Sequence, residues 1–318
     1  MQNNQSIIPG IVYTKHTYID KQKWDECILK SHNGLIYSTA AYLDSMAGSW
    51  DALILNDYEA VMPLPWRKKF GIQYIYPPAF TQQLGISFRH KEDKETVAAF
   101  IKAIPKKFRY IEINLNATNR LKDDSTAARK NYLLNLSLGY PELRKAYSRS
   151  ALRNISKAEN KQIYIKENAA AGDIIQLHRS RFKDEIGVDA NDYKNFLSLA
   201  NNLKTTNHYY CIGALNNKDV LIAGSIYFIF KDRISFVVNG NTAESLENGA
   251  THLLMDYTIK KFSGRGFVLD FEGSDHPSFA RFYQQYGALP ETYNFIRLNR
   301  LPWPLKFLKP HHSKPELC

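Results

Sequence analysis

Residues 268–288 read VLDFEGSDHPSFARFYQQYGA and hold the two elements that decide the fold. The spacing predicts an apolar strand at Phe267–Glu272, a break at Gly-Ser, and a helix at about Pro277–Tyr286 that ends in glycine. Alternation along the strand places Asp270 and Glu272 on one face. Carboxylates at the carboxyl end of a strand in a mixed α/β sheet stand where ligands usually bind.

The two acids have two interpretations, a functional one and a structural one in which both pair with lysines at a half-exposed sheet edge. The first half of the chain contains a similar strand, 110–114, which reads YIEIN and carries Asn114 where the later strand carries Glu272. A titratable base at that position therefore exists only in the second half. We predict Glu272 as a catalytic base, with Asp270 as a second candidate.

The helix after this strand carries aromatics at i, i+3, i+4 and i+7, namely Phe279, Phe282, Tyr283 and Tyr286. This spacing is typical of a core-facing stripe, and three of the four are assigned to packing. Tyr283 has a hydroxyl that needs a partner when buried, so it is the candidate proton donor.

Length and charge set outer bounds on the function. A chain of 318 residues has room for two ordinary domains, and its net charge of +11 is spread along its whole length. The positive electrostatic field of such a chain attracts phosphorylated ligands, nucleic acid or anionic surfaces, and net charge alone does not distinguish among them.

The sequence lacks the residue patterns of metal sites and of several classes of enzyme. The three cysteines are far apart and the nine histidines show no metal spacing, so we expect no metal site and a reducing compartment. No P-loop, dinucleotide-binding, G-x-S-x-G or H-E-x-x-H motif is present. The N-terminus has no secretion signal and no apolar run is long enough to span a bilayer, which favours a cytoplasmic protein.

The second half shows a regular order of elements. The pattern predicts a short strand, two helices, a three-stranded antiparallel meander, a helix, a strand, a helix and a closing strand. The predicted ranges are Gln162–Lys166, Ala171–Ile186, Asp192–Leu203, Tyr209–Leu215, Val220–Phe230, Ile234–Asn239, Ala250–Phe262, Phe267–Glu272, Pro277–Tyr286 and Tyr293–Leu298.

The first half repeats this order more weakly. IPKKFRYIEINL at 104–115 and IKKFSGRGFVLDFEG at 259–273 both end a helix in Lys-Lys-Phe and lead into an apolar strand with alternate acids. Internal similarity at half the chain length indicates a duplication. We predict two domains, 1–145 and 146–318, with the probable active site in the second.

Three further segments are candidates for binding. Asn248, Gly249 and Ala250 precede a helix, so they form either a seat for phosphate or an ordinary turn. A basic segment at four-residue steps forms either a solvated helix face or a polyanion site that could take tRNA; its members are Lys145, Arg149, Arg153, Lys157 and Lys161. The tail LPWPLKFLKPHHSKP, 301–315, mixes aromatics with lysines, but its prolines prevent a long amphipathic helix, so it is interpreted as a packed or mobile end rather than a membrane anchor.

The element order of the second half resembles the GNAT acyltransferase fold, and FARFYQQYGA at 279–288 is similar to the family's closing FYxxxGF segment. The doubled halves, the RNISKAENK helix at 153–161 and LDFEGS at 269–274 resemble the Fem-type and BioF2-like branch over about residues 10–300. The resemblance implies two tandem GNAT-like domains of α/β (α+β) class, each a mixed, largely antiparallel sheet flanked by helices.

The resemblance also implies transfer of an acyl group, acetyl in the first instance, from acyl-CoA to an amine. The donor would lie along Val237, Val238 and Asn239, where two neighbouring strands splay apart. The Q/RxxGxG/A phosphate loop of the family is reduced here to the Gly-Ala of SLENGA. Two alternatives therefore stay open: a Fem-like transferase that uses aminoacyl-tRNA, and a catalytically silent binding module.

Overall fold

The computed structural model describes residues 10–90, 94–121, 126–182, 187–273 and 275–308. Its strands are β1 Ile11–Thr14, β2 Trp50–Leu55, β3 Ala60–Lys69, β4 Ile72–Ile75, β5 Ser87–Phe88, β6 Phe108–Asn114, β7 Thr126–Asn135, β8 Tyr164–Glu167, β9 Tyr209–Leu215, β10 Leu221–Phe230, β11 Arg233–Asn241, β12 Val268–Asp270 and β13 Leu289–Asn299. Its helices are α1 Lys21–Lys30, α2 Ala40–Met46, α3 Lys94–Ala103, α4 Tyr140–Lys145, α5 Arg149–Asn160, α6 Ala171–Phe182, α7 Ala190–Thr205, α8 Ala243–Asn248, α9 Ala250–Phe262 and α10 Pro277–Gln284. These elements form two compact units, and each unit contains both parallel and antiparallel strand pairs.

The first unit contains residues up to Arg129 together with the segment that starts at Thr292. Strands β1 to β4 follow one another in antiparallel order, β4 runs parallel to β6, and the end of β13 pairs antiparallel with β6. Helix α3 presents Val97, Phe100 and Ile101 to the core of this unit, which also takes in Ile296 from β13.

The second unit contains Lys130–Glu291. Its sheet has the order β7–β12–β11–β10–β9–β8, in which β11 and β12 are parallel and the other neighbours antiparallel. Helix α9 packs its apolar face on this sheet and contacts α5 on its other side. From β8 to α10 this unit has the element order that the sequence predicted, with α8 as an additional helix, and β9 and α9 match the predicted bounds residue for residue.

Three glycines lie in a row across the second sheet, and two of them, Gly224 and Gly240, let α6 pack closely on it. Gly213, Gly224 and Gly240 are cross-strand partners on β9, β10 and β11. A Cβ on Gly240 would lie 2.4 Å from the Ile174 carbonyl oxygen, and one on Gly224 would lie 2.4 Å from the Ile174 side chain. Because any side chain there would push the helix away, these positions require glycine.

The boundary between the units lies at Arg129/Lys130, whereas the sequence suggested residue 145. The reason is packing: Tyr132, Leu143 and Tyr147 belong to the core of the second unit. The closing strand also differs from expectation, because Ile296 packs in the core of the first unit. Among the described residues, no helix combines the length and apolar character needed to cross a bilayer.

Candidate functional site

The second sheet opens between its two parallel strands. Strands β11 and β12 are paired only from Arg233 with Val268 to Ser235 with Asp270. Beyond that point β12 follows β7 instead, because the Phe271 N–H donates to the Tyr132 carbonyl at 3.0 Å. Strand β11 continues beside β10 as far as Asn241, the partner of Ala223. The two strands therefore separate past Ser235, and in this stretch the Asn239 carbonyl of β11 lies 3.1 Å from Nδ1 of His178.

A β-bulge lies on β11 at the start of this opening. Ile226 pairs with Val238 and Tyr227 pairs with Phe236, so Val237 is an extra residue on β11. A bulge leaves one residue out of the ladder and increases the local twist, and such bulges occur often beside active sites. Val237 and Asn239 are half-buried here, while Val238 is buried.

Two buried amide oxygens follow the bulge. Within the described part of the chain, Oδ1 of Asn239 and Oδ1 of Asn241 are enclosed without a hydrogen-bond partner. Alternate residues of a strand point to the same face, so both oxygens lie on one side of β11. A buried acceptor that lacks a donor is costly, and a ligand with N–H groups would supply the missing donors. The donor site predicted at Val237, Val238 and Asn239 thus fits a ligand that carries amides.

Asp270 lies at the end of the paired segment and is 1% exposed. Its Oδ2 is 2.7 Å from Nη1 of Arg233, and its Oδ1 accepts the Glu272 backbone N–H at 2.9 Å. Burial alone would lower the pKa of Arg233, but nearby carboxylates outweigh it and raise that pKa. With both oxygens engaged, Asp270 is placed to position its neighbours, and these contacts argue against its use as a base.

Glu272 is the second residue beyond β12 and adopts a left-handed backbone conformation with φ of +62°. A side chain other than glycine is strained there, at a cost of about 1–2 kcal/mol. The hydrogen bond from its N–H to Asp270 stabilises the turn. Strain of this kind is concentrated at functional sites, where the surrounding structure enforces it. Glu272 is half-buried, which leaves its carboxylate partly open to solvent.

Tyr283 lies beneath the same turn, on α10. Its ring centroid is 4.6 Å from that of Phe271 and 5.9 Å from that of Tyr132, and the side chain is buried. Burial, and then the charges of Glu272 and Asp270, raise the pKa of Tyr283. The structure therefore brings Glu272 and Tyr283 within electrostatic reach of each other, and Tyr283 keeps its proton at neutral pH.

The phosphate site predicted at Asn248, Gly249 and Ala250 lies at the junction between α8 and α9. The Gly249 N–H closes α8 by donating to the Ser245 carbonyl, and Gly249 has a φ of +79°. A Cβ on Gly249 would lie 2.3 Å from the Asn154 carbonyl oxygen, and Ala250 is fully buried. A carbonyl oxygen thus occupies the approach to this helix start. An anion seat at these residues stays a prediction, and these contacts speak against it.

The first unit has an equivalent opening that its own chain fills. Strands β4 and β6 are paired as far as Ile75 with Ile111. Beyond it the Leu84 N–H donates to the Asn114 carbonyl, and the Asn114 side chain donates to the Gln82 carbonyl, both at 2.8 Å. In the first unit, residues of the same chain therefore bridge the position equivalent to that at which β11 and β12 separate in the second unit. This difference accompanies the Asn114/Glu272 difference seen in the sequence.

Comparisons with known proteins agree with this arrangement. No protein-family model matches the sequence, and no curated protein does. Among solved structures, FemX has a TM-score of 0.63 at 14% identity, over 92% of this chain and 98% of FemX. A tandem GNAT protein from the clavulanic acid biosynthesis pathway has a TM-score of 0.50 at 9% identity, over 92% and 99%. The chain has a tandem GNAT fold of the Fem type.

A third structure with this tandem GNAT fold is L-PGS from Bacillus licheniformis, with a TM-score of 0.53 at 11% identity over 91% of this chain and 95% of that one. The predicted fold class is therefore confirmed. At such identities the likeness concerns the fold, so activity has to be argued from the residues of the opening.

The basic segment ahead of the second tandem GNAT half does not form the single helical stripe that the sequence suggested. Lys145 ends α4 and pairs with Glu142 at 2.7 Å, while Lys161 lies at the C-terminal cap of α5. The chain breaks between the two helices because the Ser148 side chain caps α5 and its N–H donates to the Gln285 carbonyl. The other three cations, Arg149, Arg153 and Lys157, share the exposed face of α5.

Sequence reasoning missed two parts of this site. Arg233, the partner of Asp270, follows an ordinary turn, and nothing near it in sequence indicates an ion pair with a residue 37 positions away. The bulge at Val237 depends on cross-strand register, which a single sequence does not reveal. The glycine row does have a signal, since Gly213, Gly224 and Gly240 interrupt three otherwise apolar strands.

Proposed function

We propose that this chain is an N-acyltransferase whose active site lies at the opening between β11 and β12 of the second unit. The observation that carries the proposal is the end of strand pairing at Ser235 and Asp270, beside the bulge at Val237, with Glu272 at its edge. A strand opening with a carboxylate and a buried phenol beside it contains groups that acyl transfer to an amine needs.

In the proposed reaction Glu272 removes a proton from the ammonium group of the acceptor. The free amine attacks the carbonyl carbon of the donor thioester, and the new C–N bond forms as the carbonyl oxygen gains negative charge. A backbone N–H from Val237–Asn239 donates to that oxygen. Asp270 acts on this step indirectly, because it holds the Glu272 backbone and balances the charge of Arg233.

Collapse of the tetrahedral intermediate breaks the C–S bond and releases a thiolate. Tyr283 donates its phenolic proton to that sulfur, and the second proton of the attacking nitrogen restores the phenol. One proton leaves through Glu272 to solvent, so the products are an amide and a free thiol. Burial raises the pKa of Tyr283, so the phenol is protonated at neutral pH. Transfer of its proton to sulfur is driven by the concerted return of the strongly acidic nitrogen proton rather than by the acidity of the phenol.

Acyl-CoA, with acetyl as the first acyl group to test, is the proposed donor. The amide N–H groups of its pantetheine arm would meet the unpartnered Oδ1 atoms of Asn239 and Asn241. The acceptor is an amine of small-molecule or peptide type, and we place the reaction in the cytoplasm.

Two measurements on the full chain test this proposal. Calorimetry with acetyl-CoA and CoA should show saturable binding, and an assay of thiol release should show turnover on a panel of amines. The Glu272→Gln variant should lose turnover and keep donor binding, while the exposed control Glu159→Gln should keep both. Full turnover in Glu272→Gln would exclude the proposed base. If neither CoA compound binds, the silent binding module becomes the better description.

A second candidate is the same chemistry with aminoacyl-tRNA as donor. It is favoured by the exposed row of Arg149, Arg153 and Lys157 on α5. Charge reversal at Arg149 and Arg153 should weaken tRNA binding and reduce the slope of affinity against salt by about 2. The matched control is charge reversal at Lys194 and Lys204, which are exposed on α7. No binding of tRNA at low salt would exclude this donor.

A further inference from the structure

The first unit contains a basic cleft that the proposed acyl transfer does not use. Its volume is about 400 Å³, and seven residues line it, all in the described part of the chain: Gly71, Ile72, Gln73, Lys107, Arg109, Arg300 and Pro302. Three of these carry positive charge and none carries a carboxylate. Lys68 adds a fourth cation on the same face, since it is the cross-strand partner of Gln73.

Arg109 and Arg300 lie close enough to repel each other, whereas Nζ of Lys107 is held by Tyr13 and Asp51. Arg300 donates from Nη1 to the Ile104 carbonyl at 3.1 Å, and burial, together with the charge of Arg109, lowers its pKa. Lys107 donates from Nζ to the Tyr13 hydroxyl at 2.5 Å and lies 3.5 Å from Asp51, which offsets part of its charge. Like charges that converge around a cleft repel one another, and a bound anion relieves that repulsion.

Two exposed aromatic residues adjoin lining residues of this cleft along the chain, and a third lies on the 3-10 turn that follows. Phe70 is 91% exposed and precedes Gly71 of the lining, and Trp303 is 79% exposed and follows Pro302 of the lining. Phe307 is 70% exposed, and the Lys306 carbonyl beside it accepts from the Asn299 side chain at 3.0 Å. Of the two interpretations of the tail, packed or mobile, the exposure of Trp303 and Phe307 argues against the packed one; residues 309–315 lie outside the described part.

Lysines alternate with these aromatics. Lys69 lies beside Phe70, with Nζ 5.7 Å from the ring centroid, and Lys306 adjoins Phe307. Exposure of a large aromatic side chain to water is unfavourable, whereas tryptophan is stabilised at the interface between lipid headgroups and acyl chains. Cations at the same level attract anionic headgroups. Aromatics and lysines next to a basic cleft together match the chemistry of an anionic phospholipid surface.

We propose that the first unit docks on the surface of an anionic phospholipid bilayer through Phe70, Trp303 and Phe307, with one lipid phosphate in the cleft formed by Lys107, Arg109 and Arg300. The aromatic rings enter the interface, and the surrounding lysines contact neighbouring headgroups. This surface lies in the unit that lacks the open catalytic strand pair, so it is independent of the proposed acyl transfer.

The fluorescence of Trp303 gives a direct test. Of the four tryptophans, Trp24 and Trp50 are buried and Trp66 is half-buried, which leaves Trp303 as the exposed one. The full chain is titrated with vesicles of phosphatidylcholine alone and of phosphatidylcholine with phosphatidylglycerol. We expect a blue shift of emission and quenching by brominated lipid with the anionic vesicles only, and neither change in Trp303→Phe. Unchanged emission with anionic vesicles would overturn the proposal.

Vesicle flotation with variants separates the two parts of the surface. Phe70→Ser with Trp303→Ser should lower partitioning onto anionic vesicles at least ~10-fold, and Lys69→Gln with Lys306→Gln should lower it about 30-fold. The matched controls are Leu138→Ser with Leu246→Ser, and Lys194→Gln with Lys204→Gln, all exposed in the second unit. Each control pair should change partitioning less than ~3-fold.

Two outcomes identify a different ligand. If glycerol 3-phosphate binds and anionic vesicles do not, the cleft is a site for a free phosphate compound and the docking proposal is wrong. The second outcome concerns single-stranded RNA. If RNA binds the chain, binds Phe70→Ser with Trp303→Ser more weakly, and vesicles do not bind, the surface recognises nucleic acid and the docking proposal is wrong. Equal partitioning of the aromatic variant and its leucine control would also contradict the proposal.

Discussion

Asp270 holds the backbone of Glu272 in a left-handed turn: Asp270 Oδ1 accepts the Glu272 N–H at 2.9 Å, and Glu272 has a φ of +62°. The other oxygen of Asp270 is committed to Arg233 at 2.7 Å. One buried carboxylate therefore supports a strained residue at the edge of the strand opening, and this relationship makes the two acids separable by experiment.

Replacing Glu272 should separate stability from activity. In Glu272→Gly the left-handed turn is relieved, so we expect the free energy of unfolding to rise by about 1 kcal/mol. Glu272→Gln keeps the strain and should leave stability unchanged. Both should lower acyl transfer at least ~100-fold, because the base is lost. Urea unfolding and thiol release measure the two effects, and a less stable Glu272→Gly would show that the side chain supports the fold.

Replacing Asp270 should act mainly on stability. Asp270→Asn keeps an acceptor for the Glu272 N–H but leaves the Arg233 charge without its closest partner, so we expect a loss of about 3 kcal/mol in urea unfolding. Glu142→Gln, which breaks an exposed pair with Lys145, should cost less than ~1 kcal/mol. Equal costs for these two changes would argue that the Arg233 pair is not enclosed.

Asn239 should matter more for the donor than for the fold. Asn239→Leu removes a buried oxygen that has no partner within the described chain, so stability should be unchanged or should rise by about 1 kcal/mol. Affinity for acetyl-CoA, measured by calorimetry, should fall about 10-fold, since one ligand hydrogen bond is lost. Loss of stability with unchanged affinity would mean that Asn239 serves the fold alone.

Gly249 should be irreplaceable for steric reasons. Gly249→Ala places a Cβ 2.3 Å from the Asn154 carbonyl oxygen in addition to the unfavourable φ, so we expect a loss of about 3 kcal/mol. Gly264 has a similar φ of +72° and open space around it, so Gly264→Ala reports the backbone cost alone, about 1 kcal/mol. Thermal or urea unfolding of Gly249→Ala and Gly264→Ala measures both losses of stability, and their difference is the steric cost at Gly249. Similar losses in both would mean that α5 moves away at little cost.

His252 should make stability depend on pH. Burial lowers its pKa to about 4, below the value of about 6.5 expected in the unfolded chain. Between these two values the unfolded chain binds the proton more strongly, so stability is lost as pH falls from 6.5 toward 4. The full effect is about 3 kcal/mol. The free energy of unfolding, measured with urea at several pH values, should depend less steeply on pH in His252→Gln than in the unchanged chain. The same pH dependence in both would contradict the lowered pKa of His252.

The elements of the second unit were predictable because each carries its own signal. Helix α9 has apolar residues at helical spacing and a glycine before it, and β9 to β11 are apolar runs separated by turn residues. Helix α8 was missed, since six residues next to a glycine resemble a turn. The break at Ser148 was also missed, because it depends on a hydrogen bond to Gln285, far along the chain.

The sequence by itself determined the α/β order, the duplication, and the choice of Glu272 and Tyr283 from strand alternation and helix spacing. These follow from local periodicity and from comparison of the two halves. Only the tertiary structure decided that β12 leaves β11 for β7 after Asp270, that Arg233 takes up the Asp270 charge, and that Oδ1 of Asn239 is enclosed without a partner in the described chain. Each of these depends on which strand becomes a neighbour, and pairing between distant segments is set by packing of the whole unit rather than by local residue preference.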